Sequence, residues 1–191
     1  MIEEIENLIV PSVQASIEHA VLSAGFPWYH GTTVDQYADS RFNLKQGTNP
    51  YQFVHQVPLD SLANNRFFGV VSPILDAVRA YVKRDIEVLN LKVNFLPLHT
   101  DASHHYPHVD IGLCPGQQIK SLVYYVNHSD GDTYFFDQTG PTERTSLNVI
   151  RRVSPRRGLA VLFDSDIFHA SSSPVQSDKR IVINIVFKLL D

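Results

Sequence analysis

From residue 86 onward the chain is cut into short apolar runs separated by turn residues, and this rhythm limits its fold more than any other feature. The runs are Ile86–Leu96, Ser121–Asn127, Thr133–Asp137, Ser146–Val153, Leu159–Phe163 and Ile181–Leu189. Ser129-Asp130-Gly131 and Ser154-Pro155-Arg156-Arg157-Gly158 carry the side chains that bend a chain between strands. Many short strands at such intervals predict a sandwich or barrel. The first half reads differently. Pro11 opens a helix whose apolar side holds Val13, Ile17, Ala20, Val21 and Ala24, and Gly25 and Pro27 stop it. Ser72-Pro73 opens a second helix with Ile74, Leu75, Val78, Tyr81 and Val82 on its buried stripe. Residues 31–58 show no clear period. The expected fold is mainly β with supporting helices. One domain spans 1–191, with 1–85 as helical and irregular support and 86–191 as the β core.

Composition agrees with a globular enzyme. Of 191 residues, 43% are hydrophobic and 19% charged, which allows a sizeable core and excludes a disordered chain. The formal charge of −4 argues against generic binding to nucleic acid. Arg151, Arg152, Arg156 and Arg157 form a local basic run, read as a solvated strand end and turn. A single cysteine, Cys114, read as a packed or loop residue, excludes an internal disulfide framework. With no basic-then-apolar leader and no bilayer-length apolar run, the expected location is the cytoplasm.

Chemistry concentrates in four residues. His108 and Asp110 flank Val109, and in an extended segment positions i and i+2 share a face. One short strand end can therefore offer an imidazole and a carboxylate to one cation. His169 lies far downstream, beyond the run Leu159-Ala160-Val161-Leu162-Phe163-Asp164, in what reads as a loop. Two histidines and one carboxylate are the ligand set of a non-haem Fe(II) centre with three open positions; zinc accepts the same donors. Arg180 opens the last apolar run and supplies a planar fork suited to a carboxylate. A His-x-Asp triplet alone is weak in a chain with nine histidines. His99, His104 and His105 fall in a turn-rich stretch and are read as solvent-exposed loop residues near a substrate entrance. His55 and His128 are not favoured as ligands.

In their order and spacing these residues resemble the Fe(II)/2-oxoglutarate-dependent oxygenases, most closely the prolyl-4-hydroxylase-like branch, over about residues 90–190. Ser121-Leu122-Val123-Tyr124-Tyr125-Val126-Asn127 matches that family's aliphatic-Tyr-Tyr-aliphatic-Asn strand. Gly131-Asp132-Thr133-Tyr134-Phe135 resembles its Gly-Gly-x-Thr-x-Phe stretch with one glycine missing, and Pro155 and Gly158 match its Pro-x-x-Gly turn. Leu96 stands where prolyl hydroxylases often carry a tyrosine before a proline.

The resemblance implies a double-stranded β-helix, a distorted jelly roll related to the cupins. It implies His108, Asp110 and His169 as iron ligands, 2-oxoglutarate and O2 as cosubstrates, and ascorbate as an accompanying reductant. Arg180 and Tyr124 would receive the distal carboxylate of 2-oxoglutarate, with Tyr125 on the opposite side. The implied activity is hydroxylation of a prolyl or other amino-acid residue in a peptide, protein or small molecule, with release of succinate and CO2. Asp110 argues against halogenation, for which relatives carry a small residue. The alternatives are an oxygenase of a small metabolite, a cupin-like protein that does not use 2-oxoglutarate, and an inactive jelly-roll binding module.

Overall fold

The computed structural model describes residues 1–32, 40–59, 67–111 and 117–191; Cys114 lies outside them. Among the described residues ten strands and two helices follow in the order β1 (Ile2–Ile5), α1 (Pro11–Leu22), β2 (Tyr29–Thr32), β3 (Tyr51–Gln56), α2 (Phe68–Val82), β4 (Ile86–Pro97), β5 (Ile119–Tyr125), β6 (Thr133–Thr139), β7 (Val149–Val153), β8 (Ala160–Asp164), β9 (Ile167–Ser171) and β10 (Lys179–Leu189). They build two antiparallel sheets. The larger has the order β1-β8-β5-β10-β4-β3-β2 and the smaller β7-β6-β9. The apolar runs read from the sequence all fall on strands.

Strand alternation gives the large sheet two different faces. On one, Leu91, Val93, Leu122, Tyr124, Ile181, Ile183, Ile185 and Phe187 pack with Ile17 and Val21 of α1 and with Val71, Ile74 and Val78 of α2. The helices do buttress the sheet. The other face, with Val123, Tyr125, Val161, Phe163 and Val182, meets Phe135, Val153 and Ile167 of the small sheet. The functional pocket opens on this inner side.

Local chemistry explains where elements begin. Proline fits the first turn of α1, where its missing N–H costs nothing. Helix α2 starts at Phe68, four residues before the expected Ser72, and carries Pro73 inside it. Pro73 has no N–H for the Gly69 carbonyl, and the Ser72 hydroxyl lies 3.4 Å from that oxygen instead. Gly158 has a φ of +83°, and a Cβ there would stand 2.4 Å from Gln14 Nε2, so glycine permits both the turn and the seating of α1.

The basic run is paired rather than merely solvated. Arg151 reaches Glu4 at 2.5 Å, Arg152 reaches Asp132 at 2.6 Å, Arg156 reaches Glu6 at 2.5 Å and Arg157 reaches Glu18 at 2.9 Å. Three of the four arginines thus tie the β7–β8 region to β1 and α1. No described helix is long and apolar enough to cross a membrane.

Candidate metal centre and cosubstrate pocket

His169 is placed by β9, a strand where the sequence suggested a loop. Ile167 and His169 point inward, while Phe168 and Ala170 join the outer cluster with Leu44, Val109, Phe136 and Leu147. The alternation is that of a strand, but its inward positions include an imidazole, which breaks the apolar signal. Beside β9 runs the segment carrying His108. The His108 N–H donates to the His169 carbonyl and the His169 N–H to the His108 carbonyl, both at 2.9 Å. The two histidines therefore face each other across one antiparallel rung. Val109 turns outward as i+1 must, and the Asp110 N–H donates to the Ser165 carbonyl at 3.2 Å. Residues 106–111 are not a strand apart from this bridge.

One donor atom from each of His108, Asp110 and His169 lies within 4.8 Å of the others. His169 Nε2 is 3.6 Å from Asp110 Oδ2, and the imidazole centroids are 4.5 Å apart. Supporting groups orient all three. His108 Nδ1 faces the Tyr106 carbonyl at 3.3 Å, and His169 Nδ1 faces the Ile167 carbonyl at 3.0 Å. A carbonyl can only accept, so each Nδ1 carries the proton and each Nε2 keeps a lone pair for a metal. The Ser121 hydroxyl donates to Asp110 Oδ2 at 2.6 Å.

The electrostatics also favour a cation. Burial, and then His169, hold His108 well below the ordinary imidazole range, so it stays neutral. Burial pushes the Asp110 carboxyl up, but His169, His108, Lys92 and the Ser121 hydroxyl outweigh it and leave it below its usual range. Two imidazoles and one carboxylate fit a divalent metal that must keep open positions.

Arg180 lies in the same pocket, only 3% exposed. Its Nε donates to the Gly131 carbonyl at 2.7 Å and its Nη2 to Thr133 Oγ1 at 2.8 Å. The guanidinium sits 5.7 Å from the centroid of the Tyr125 ring. No carboxylate among the described residues forms an ion pair with it, so the fork has charge and donors to spare. Gly131 is required here: a Cβ would stand 2.5 Å from the Ser172 carbonyl and 3.0 Å from Arg180 Cδ.

The tyrosine expectation is corrected. Ile183 pairs with Tyr124 and Val182 with Tyr125 in the β10–β5 register. Tyr124 consequently lies in the helix-side core, on the face away from Arg180, and its hydroxyl has no partner. Burial pushes that phenol above its ordinary range. Tyr125 is the tyrosine beside the arginine, and its hydroxyl donates to Thr133 Oγ1 at 2.7 Å.

Two further expectations change. His105 is 1% exposed, and its ring nitrogens meet Ser171 Oγ at 2.9 Å and Ser173 Oγ at 3.2 Å. Burial, and then Arg180, lower its pKa to about 3. It is a neutral buried support rather than an exposed loop residue. His104 is half-buried and packs on Tyr134 and Phe136, whereas His99 is exposed as expected. The sequence reading also passed over Lys92, Asn94 and Gln52, which line the pocket.

The model of the family described as the 2OG-Fe(II) oxygenase superfamily matches residues 87–188, more than half of the chain. The chain belongs to that superfamily. It is thus a 2-oxoglutarate-dependent dioxygenase, and such enzymes work with Fe(II), 2-oxoglutarate and O2. A search of curated proteins finds no match by sequence. Solved structures do match. A viral collagen prolyl hydroxylase from Paramecium Bursaria Chlorella virus-1 is 14% identical with a TM-score of 0.57, over 99% of this chain and 96% of that one. A prolyl hydroxylase from Trichoplax adhaerens, solved with a hypoxia inducible factor peptide fragment, is 13% identical with a TM-score of 0.60, over 100% and 83%. The non-heme alpha ketoglutarate dependent epimerase of nogalamycin biosynthesis is 10% identical with a TM-score of 0.62, over 97% and 77%. These likenesses bear on fold, and the two sheets are those of the superfamily's jelly roll, the double-stranded β-helix that was expected.

Proposed function

We propose that this oxygenase hydroxylates a C–H bond of a prolyl or other amino-acid residue, with Fe(II) held by His108, Asp110 and His169. The observation that carries the reading is the convergence of one ligand atom each from His108, Asp110 and His169 beside a pocket that also holds Arg180, a buried arginine with no ion pair to a described carboxylate. Bound Fe(II), with 2-oxoglutarate and O2, supplies the oxidising power and accounts for the succinate and CO2 released.

The chain's own residues bind, orient and exclude water. Arg180 receives the distal carboxylate of 2-oxoglutarate, and a guanidinium fork gives that contact direction as well as charge. Gly131 and Thr133 hold the fork in place, and Tyr125 supports Thr133 from below. Val123 and Val182 flank the path toward the histidines with apolar surface, which keeps the cosubstrate chain dry. Asp110 fills the place a halide would need, which supports hydroxylation over halogenation. Prolyl chemistry is favoured by the motif resemblance.

Anaerobic addition of Fe(II) and 2-oxoglutarate tests the site. A weak visible metal-to-ligand charge-transfer band is expected, followed by succinate release on admission of air with a substrate. A protein that gives no band under these conditions does not have the site proposed.

A further inference from the structure

The end of the pocket away from Arg180 is polar, and none of the roles above uses it. In the β10–β4 register Asn184 lies opposite Lys92 and Val182 opposite Asn94, so these residues share the inner face with Arg180. Asn184 is four residues along the strand from Arg180, about 13 Å at strand rise. Lys92, Asn94, Asn184 and Gln52 all line the pocket with His108 and His169. Lys92 makes no ion pair with a described residue.

A short relay sets which atoms this wall offers. Gln52 Nε2 donates to the Thr32 carbonyl at 2.8 Å, and a carbonyl cannot donate back, so Gln52 Oε1 must face Asn94. Asn94 Nδ2 donates to that oxygen at 3.1 Å. Asn94 Oδ1 is left over, and it is buried without a partner, as is Asn184 Oδ1. The wall therefore presents one ammonium, the unpaired Asn94 acceptor and the Asn184 carboxamide. 2-Oxoglutarate carries no hydrogen-bond donor in its ionised form and cannot satisfy the Asn94 oxygen. An internal prolyl residue has neither a carboxylate nor an N–H.

We infer that the primary substrate carries a carboxylate seated on Lys92 and, next to it, an N–H or O–H donor received by Asn94, with the Asn184 carboxamide beside it. A free amino or hydroxy acid has this chemistry, and so does the C-terminal residue of a peptide when that residue is not proline. The inference rests on the hydroxylase reading of the same site and narrows its substrate.

The test is succinate release by the full chain, loaded with Fe(II) and 2-oxoglutarate, against matched probes. These are free amino and hydroxy acids, proline among them, with their primary amides, peptides ending in a residue other than proline, and peptides with internal proline. Stimulation by at least one free acid or C-terminal peptide is expected, with at least tenfold less from its amide. The free-acid and C-terminal arms separate the two sources. Lys92→Met should raise the half-saturating concentration of that probe at least tenfold, and that of 2-oxoglutarate by much less. Lys92→Arg, which keeps the charge, should recover part of the loss. Equal stimulation by acid and amide, preference for internal proline, or a Lys92→Met defect falling on 2-oxoglutarate would overturn the inference. So would silence from every carboxylate probe. If the charge-transfer band still forms, only this inference falls; if it does not, the reading beneath it falls too.

Discussion

The two faces of strand β10 do opposite work with alternate residues. Ile181, Ile183, Ile185 and Phe187 are all fully buried against the helices, an apolar series that any similar sheet could use. Arg180, Val182 and Asn184 line the pocket on the other face. The helix face accepts residues for volume and hydrophobicity; the inner face spends stability on buried polar groups whose partners are few. Neighbouring tyrosines on β5 show how sharp the division is: one residue of register moves a phenol from core packing to the support of an arginine.

Perturbing the inner face at its centre should have the largest effect. His108→Ala or His169→Ala is expected to abolish succinate release and the charge-transfer band, while His104→Ala should keep both. A reversed pattern would move the metal elsewhere. On the helix face, Phe187→Ala should cost about 3–5 kcal/mol in denaturant unfolding. Its folded fraction should still bind Fe(II) and 2-oxoglutarate; loss of both at equal folded fraction would mean the faces are not separable. Arg180→Lys keeps a charge but loses the fork, and the half-saturating 2-oxoglutarate concentration should rise about tenfold. An unchanged value would remove Arg180 from the cosubstrate site.

The tyrosine pair gives a finer comparison. Tyr125→Phe removes the hydrogen bond to Thr133 and should lower stability by about 1 kcal/mol with weaker 2-oxoglutarate binding. Tyr124→Phe removes a hydroxyl with no partner and should raise stability by about 1 kcal/mol, leaving cosubstrate binding alone. The smallest effect concerns Asp130, whose carboxylate accepts from the N–H groups of Val175, Gln176 and Ser177. Burial raises its pKa, but those bonds, Ser177 foremost, bring it down to about 2. A depressed carboxylate stabilises the fold above its unfolded pKa near ~4 and loses that contribution as pH falls through about 2. Asp130→Ala should therefore destabilise slightly at neutral pH and much less at pH 2, by thermal melts at both values.

Legibility followed the strength of period-two apolar patterns. The β core from residue 86 and its turns were readable because alternate burial against two layers leaves a strong mark. Strands β1 to β3 were not: β1 is four residues with two glutamates at its centre, and on β2 and β3 the exposed Tyr29, Tyr51 and Phe53 leave no inward apolar series to find. Strand β9 was hidden by the imidazole it exists to carry. The order of His108, Asp110, His169 and Arg180 was visible as a motif. The choice between Tyr124 and Tyr125 was not, because β5–β10 register is a property of the assembled sheet. Lys92 and Asn94 look like ordinary strand residues until the pairing aims them inward.

The reciprocal hydrogen bonds between His108 and His169 have one more consequence. Both imidazoles hang from a rung made by main-chain N–H and carbonyl groups, so backbone pairing rather than side-chain packing alone sets the docking point for iron. In a zinc finger, by contrast, the cation drives folding itself. Chelation here should strip activity while leaving a folded apoprotein, and returning ferrous ion should restore turnover without any refolding lag.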